Sequence, residues 1–173
     1  QQLERIVKAG ELAPTDKVLE IGPGLGPLTE LLVARAGQVL AIEKDARLVT
    51  VLAERLAGEP KLTLLQADAL DWIKKNEADW SDWKLIANLP YSVASPILVE
   101  LSEMRDCPAR IVVTLQLEVA RRLIAQAGDD DYGVLSLFMQ LRYRPGELFR
   151  IPPGCFFPEP DVHSACVTLV RRE

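Results

Sequence analysis

Four consecutive residues, Asn88-Leu89-Pro90-Tyr91, carry the clearest chemical pattern in the chain. The Asn88 side-chain oxygen and the Leu89 carbonyl, aimed by the proline that follows, supply two neighbouring hydrogen-bond acceptors, and Tyr91 supplies a flat aromatic face. Two acceptors beside such a face suit the exocyclic amine of an adenine swung out of its stack. That nitrogen is a poor nucleophile because its lone pair is delocalised into the ring. Accepting both of its N–H bonds draws it toward tetrahedral geometry and aims the lone pair at an electrophile. The product ammonium sheds its proton easily, so no strong base is required, and positioning and charge distribution carry the reaction. The plainer alternative is a proline turn with a capping Asn and a packed Tyr.

A second group of residues fits a nucleoside cofactor. Glu20-Ile21-Gly22-Pro23-Gly24-Leu25-Gly26 follows an apolar run and opens a helix-like segment. Glycines at Gly22, Gly24 and Gly26 let the backbone pass close to a ligand at positive φ. Glu43, at the end of the next apolar run, suits a ribose diol, and Lys44 follows it. Asp68, followed by Ala69 after the third run, suits an adenine amine or, equally, a helix N-cap. Pro23 and Pro27 remove backbone donors where a pyrophosphate would need them, which favours a cofactor without phosphate.

The elements that must position these residues alternate between strand-like and helix-like segments. Lys17–Ile21, Gln38–Glu43, Leu62–Gln66, a run closing at Leu85–Ala87, and Arg110–Leu115 read as strands. Between them, helices are expected over Pro27–Ala36, from an Asp45 cap to Leu56, over Val93–Ser102 and over Glu118–Gln126. Such alternation indicates βαβ units around a parallel sheet. Tyr132–Tyr143 is ambiguous but favours a helix, and the first residues look like part of a helix. Glu147–Ile151 and Ser164–Val170 read as strands joined by a proline-rich loop, so one antiparallel strand is expected at the edge of the sheet.

Bulk properties exclude several classes. The chain has 173 residues, which fits one domain, and 49% apolar residues, which fits an ordinary globular protein. No apolar run approaches the roughly 20 residues of a membrane span. Three separated cysteines and a single histidine, His163, suggest no metal site, no disulfide framework and no His-dependent hydrolase, and a cytoplasmic setting is expected. A net charge of −5 speaks against nucleic acid unless the charges are segregated. Trp72, Trp80 and Trp83 read as packing residues. Asp129-Asp130-Asp131 reads as a solvated loop, and Arg121-Arg122 and the Arg142, Arg144, Arg150 set as weak phosphate candidates.

Taken together, the motifs resemble the ribosomal RNA adenine N6,N6-dimethyltransferase family, the small-subunit rRNA dimethylases. The resemblance rests on Val18–Thr29 with its Gly-Pro-Gly-Leu-Gly-Pro core, Glu43, Gln66–Leu70, Asn88–Tyr91, Gln116–Arg121, Tyr132–Ser136 and Phe156–Ser164, and it runs along essentially the whole chain. It implies a Rossmann-like class I methyltransferase fold, a mostly parallel seven-stranded sheet with one antiparallel edge strand, over one catalytic domain, residues 1–173. It implies S-adenosyl-L-methionine as cofactor, held by Glu20, Gly22, Gly24, Gly26, Glu43, Lys44, Asp68, Ala69 and Asn88. Phe156 is then expected to sandwich the target adenine with Tyr91. The implied partner is small-subunit rRNA or the pre-ribosomal small subunit, with two adjacent adenines each dimethylated by a monomer. A short N-terminal segment and a helical C-terminal domain usual in the family are expected to lie outside this chain. Leu117 and Asp161 stand where the family commonly has lysine. Two rival readings remain: a large-subunit rRNA methyltransferase of the macrolide-resistance type, and a non-catalytic assembly or transcription factor on the same fold. A nicotinamide oxidoreductase is disfavoured by the tetrapeptide.

Overall fold

The computed structural model describes residues 1–156 and 158–173. Phe157, inside the Phe156–Ser164 stretch, lies outside the described residues. Seven strands form one sheet: β1 (Lys17–Ile21), β2 (Gln38–Glu43), β3 (Leu62–Gln66), β4 (Trp83–Asn88), β5 (Arg110–Gln116), β6 (Tyr143–Ile151) and β7 (Ser164–Arg171). Their order is β3-β2-β1-β4-β5-β7-β6. β1 to β5 are mutually parallel, and β7 alone runs against its neighbours. That antiparallel strand sits one place in from the edge, between β5 and β6. The chain therefore reaches the edge first and returns inward.

The helices are α1 (Gln2–Ala9), α2 (Pro27–Arg35), α3 (Ala46–Arg55), α4 (Ala69–Lys75), α5 (Ala94–Glu103), α6 (Leu117–Ile124) and α7 (Val134–Gln140). Strand side chains alternate between two cores, because successive residues point to opposite sheet faces. Leu19, Leu85, Ile111 and Val113 pack in one core with Ile97 and Leu101 of α5; Val18, Ile86 and Val112 pack in the other with Ile6 and Val7 of α1 and Leu28 and Leu32 of α2. Both faces are covered, which is why the central strands are apolar runs without polar alternation.

Two elements differ from expectation. α4 is short and follows directly on Asp68, so it left little periodicity to read. β6 begins at Tyr143, not Glu147. Tyr143 is fully buried and its hydroxyl donates to the Pro108 carbonyl at 2.7 Å, while the register shifts between Pro145 and Leu148. A Pro-Gly pair inside a strand reads as a turn, and here it marks a bulge. The three tryptophans are packing residues: Trp80 is buried and stands edge-on to Trp72 at 6.2 Å and to Trp83 at 5.2 Å. They gather at the amino end of β4, the end of the sheet away from the tetrapeptide. Arg142 is structural as well, since its guanidinium donates to the carbonyls of Met104 and Arg105.

The strand order has one functional consequence. From β1 the chain moves outward through β2 to β3, then crosses back to place β4 on the other side of β1. Helices on either side of that switch diverge, leaving a crevice outside the carboxyl ends of β1 and β4. Gly22 and Asn88 are at those two ends.

Candidate functional site

The turn after β1 is held by hydrogen bonds within itself and to β2. Gly22 N–H donates to the Ile42 carbonyl at 2.9 Å, Gly26 N–H to the Pro23 carbonyl at 3.0 Å, and Gly24 N–H to Glu43 Oε1 at 3.0 Å. Pro23 and Pro27 have no N–H, and Pro27 opens α2, where its missing donor costs nothing. Within residues 22–27 only the Leu25 amide lies outside these constraints. A phosphate cradle needs several free N–H groups converging on one anion, and this turn does not offer them. Gly24 holds φ +60, and a Cβ there would meet nothing within 4 Å, so it faces open space. Gly26 holds φ +89, and its Cβ would fall 2.3 Å from Leu52 Cδ1 of α3. Gly26 is thus a packing glycine, and Gly26→Ala is expected to lower stability by about 1–3 kcal/mol in urea unfolding, through the overpacked contact and the strained φ.

Glu43 ends β2, nearly buried, with Oε1 taking the Gly24 N–H and Oε2 taking the Asp45 N–H at 3.0 Å. One carboxylate therefore ties the glycine turn to the start of α3 and keeps further lone pairs for a ligand's hydroxyls. Asp68 is the N-cap of α4, accepting from Asp71 N–H at 3.1 Å, and its other oxygen is 3.4 Å from Lys44 Nζ. The Asp71 backbone bond, with Lys44 beside it, holds its carboxyl below the usual range. The capping reading of Asp68 is realised, and the residue still borders the crevice. Gly22, Glu43, Lys44, Asp68 and Ala69 line one cavity, whose far side is closed by Pro90 and Val93.

Glu20 lies elsewhere. It is 1% exposed and accepts a hydrogen bond from Thr29 Oγ1 of α2 beneath the glycine turn, closed off from that cavity. Burial pushes its carboxyl up to about 8, with the Thr29 bond opposing and the Glu43 charge adding to the rise.

A second cavity adjoins the first across Pro90. Asn88, Leu89, Pro90, Tyr91, Thr114 and Phe156 line it, with Pro158 and Pro160. The Asn88 Oδ1 atom is buried and has no hydrogen-bond partner among the described residues. Leu89 N–H donates to the Thr114 carbonyl at 3.0 Å, so the tetrapeptide is pinned to β5 at its second residue. The Tyr91 and Ser164 hydroxyls are hydrogen-bonded to each other. A third cavity, on the other side of Asn88 and Phe156, runs along Gly24 and Leu25 to Gln2, Leu3 and Ile6 of α1. Asn88 thus borders two of the cavities and Pro90 joins the second to the first.

A family model described as ribosomal RNA adenine dimethylase matches residues 1–173. The chain belongs to the ribosomal RNA adenine dimethylase family. Among its relatives, the ribosomal RNA small subunit methyltransferase A of Pelotomaculum thermopropionicum is 44% identical, over 98% of this chain and 61% of that protein. The protein of the same description from Geobacter metallireducens is 38% identical, over 99% of this chain and 63% of that protein. Two solved structures share the dimethylase-family fold throughout. A dimethyladenosine transferase from Plasmodium falciparum superposes with a TM-score of 0.88 at 30% identity, covering 99% of this chain and 61% of that one. The 23S rRNA methyltransferase ErmE superposes with a TM-score of 0.86 at 31% identity, covering 99% and 67%. The chain spans about three fifths of the length of the curated relatives it matches. The expected Rossmann-like methyltransferase fold is the fold of this dimethylase-family chain.

Among the site residues expected from sequence, Gly22, Glu43, Lys44, Asp68 and Ala69 share one cavity wall and Asn88 to Tyr91 share another with Phe156. Gly24 faces the third. Glu20 and Gly26 serve as supports behind these walls. Reasoning from sequence passed over the α1 residues beside Gly24, and Ser164, which ends the quoted Phe156–Ser164 motif without an assigned role.

Proposed function

We propose that this dimethylase-family protein transfers methyl groups from S-adenosyl-L-methionine to the N6 amine of adenine in small-subunit rRNA, dimethylating two adjacent adenines. The observation that carries the reading is the buried, unpartnered Asn88 Oδ1 in a cavity walled by Tyr91 and Phe156. An orphaned buried acceptor costs about 1–3 kcal/mol. A protein that keeps one at the mouth of its topological switch crevice supplies it to a ligand that brings its own N–H.

The residues present fit the cofactor. The glycine turn has its donors spent, Glu43 retains acceptor capacity, and Gly24 leaves open space beside it. Glu43 would take the ribose, Asp68, Lys44 and Ala69 would border the adenine, and Gly22 and Gly24 would pass beneath the amino-acid part. When bound, S-adenosylmethionine would supply a methyl group on a positively charged sulfur: the amine nitrogen would bond to the methyl carbon in line as the carbon–sulfur bond breaks and the sulfur leaves as a neutral thioether. Asn88 and the Leu89 carbonyl accept the two N–H bonds of the target amine, redirecting its lone pair. Tyr91 and Phe156 hold the ring from its faces and exclude water. Neither Asn88 nor Tyr91 has to act as a base, since the alkylated nitrogen is acidic enough to give its proton to solvent once the product leaves the cavity.

The same reading supplies the partner, the pre-ribosomal small subunit, and a cytoplasmic monomer as the working form. No helix among the described residues is long and apolar enough to cross a membrane. The test is incubation of the whole protein with labelled S-adenosylmethionine and isolated ribosomal subunits or their RNA, followed by mass mapping of the labelled bases. Label is expected as dimethyladenine in small-subunit RNA. Label confined to large-subunit RNA would transfer the assignment to the reaction named for ErmE.

A further inference from the structure

Tyr91 carries a hydroxyl that stacking does not require, and the fold spends a buried serine on it. The Tyr91 hydroxyl is bonded to Ser164 Oγ, and Ser164 is fully buried. Ser164 is the first residue of β7. It is register-paired with Gln116 of β5 on one side and with Ile151 of β6 on the other. The preceding residue is pinned as well, since the His163 carbonyl accepts the Leu117 N–H at 2.9 Å. The Ser164 backbone is thus held from both neighbouring strands.

That position also has a topological meaning. The loop carrying Phe156 leaves the sheet after Ile151 and returns at Ser164, and these two residues face each other across the β6–β7 pair. Ser164 is therefore the foot of the loop that forms one wall of the cavity. Tyr91, on the segment after β4, lines the same cavity. The Tyr91–Ser164 hydrogen bond ties that segment to the foot of the loop. At its other end the Tyr91 ring is set by the turn in which Val93 N–H donates to the Pro90 carbonyl at 3.2 Å. A phenol ring anchored only at its Cβ can swing about that bond; one tied at its hydroxyl as well keeps its place along the cavity wall.

We infer that Ser164 is a positioning residue for the base, holding the Tyr91 ring at a fixed spacing from Phe156 through its hydroxyl. The inference rests on the reading that this cavity takes an adenine. Ser164 touches no reacting atom. It acts through Tyr91, by keeping the amine nitrogen within reach of Asn88 Oδ1, where displacements of about 1 Å cost up to about a hundredfold in rate.

The test is a double-mutant cycle with Ser164→Ala and Tyr91→Phe in the whole protein. Either substitution removes one hydroxyl and leaves the ring. Each alone is expected to lower kcat for methyl transfer to small-subunit RNA about tenfold, with KM for S-adenosylmethionine unchanged, and the pair is expected to be no worse than either alone. Losses that multiply in the double variant, or a Ser164→Ala enzyme with unaltered kcat, would overturn the inference. A second cycle on the same variants, read by urea unfolding, keeps it testable apart from the chemistry. Non-additive stability losses are expected there, and additive losses would show that the two hydroxyls do not act together even in the free protein. Absence of methyl transfer by the unsubstituted protein would instead sink the proposed reaction, and the unfolding cycle would still decide whether the hydroxyl tie exists.

Discussion

Asn88→Ala is expected to reduce methyl transfer by about a hundredfold to a thousandfold, the range found when one preorganised polar group is removed from a reacting centre. Cofactor affinity, read by calorimetry, should stay within about threefold, because the cavity proposed for the adenosyl group is lined by Gly22, Glu43 and Asp68 and not by Asn88. The argument turns on how firmly the acceptor is placed. Asn88 is the last residue of β4, register-paired with Thr114, and the next residue donates its N–H to the Thr114 carbonyl at 3.0 Å. The amide therefore projects from a backbone position that central strands define. Its Oδ1 is buried without a partner. Deleting an unsatisfied buried acceptor removes a cost, so the stability of Asn88→Ala should hold or rise by about 1 kcal/mol. A variant that is inactive yet at least as stable separates a chemical role from a structural one. A fall of about 2 kcal/mol in stability, or turnover within about threefold of the parent, would refute the role given to Asn88.

Local chemistry made much of this site legible from sequence. The Gly22–Gly26 turn, the acid at the end of β2 and the tetrapeptide after β4 each sit where a strand gives way to a loop, and apolar runs show where strands end. What sequence could not resolve was direction and partnership. Glu20 belongs to the glycine motif by position, but it shares parity with Val18, which packs toward α1 and α2. Its side chain is thereby sent under the turn to Thr29 and not onto the cavity wall. Asp68 was open between a ligand contact and a cap, and only the presence of α4 shows that the cap is used. Ser164 was hidden for a different reason. Its value comes from β7 lying between β5 and β6, and strand order in an antiparallel return is set by long-range pairing that no local pattern records. The proline and glycine of β6 likewise hid a strand, because the bulge that tolerates them is a property of the pair and not of the single chain.

Glu20 leads to the second large effect, a pH dependence of opposite sign to the usual carboxylate one. A buried carboxylate pushed from its ordinary value of 4.5 up to about 8 holds its proton in the folded state while the unfolded chain releases it. Between about pH 4.5 and about pH 8 the folded state therefore binds the additional proton. Its stability should fall as pH rises, by up to about 1.4 kcal/mol per unit. The contribution is fully present below 4.5 and lost once the pH has passed about 8. Asp16, Asp45, Asp68 and Asp79, whose carboxyls are held below the usual range, act at the acid end and lose their stabilisation as pH falls. Glu20→Gln isolates the buried group, since it keeps the shape and an acceptor for Thr29 while removing the titration. Unfolding free energies of the two proteins should be close at pH 5 and diverge by several kcal/mol in favour of the glutamine variant at pH 9. A difference that stays constant across that span would mean that Glu20 titrates near its ordinary value. The consequence for activity follows from position. Glu20 ties β1 to α2 through Thr29 at the glycine turn, so ionising it puts an unsolvated charge behind the proposed cofactor site. Affinity for S-adenosylmethionine should weaken above about pH 8 in the parent protein and hold in the glutamine variant, with calorimetry at pH 7 and pH 9 as the measurement.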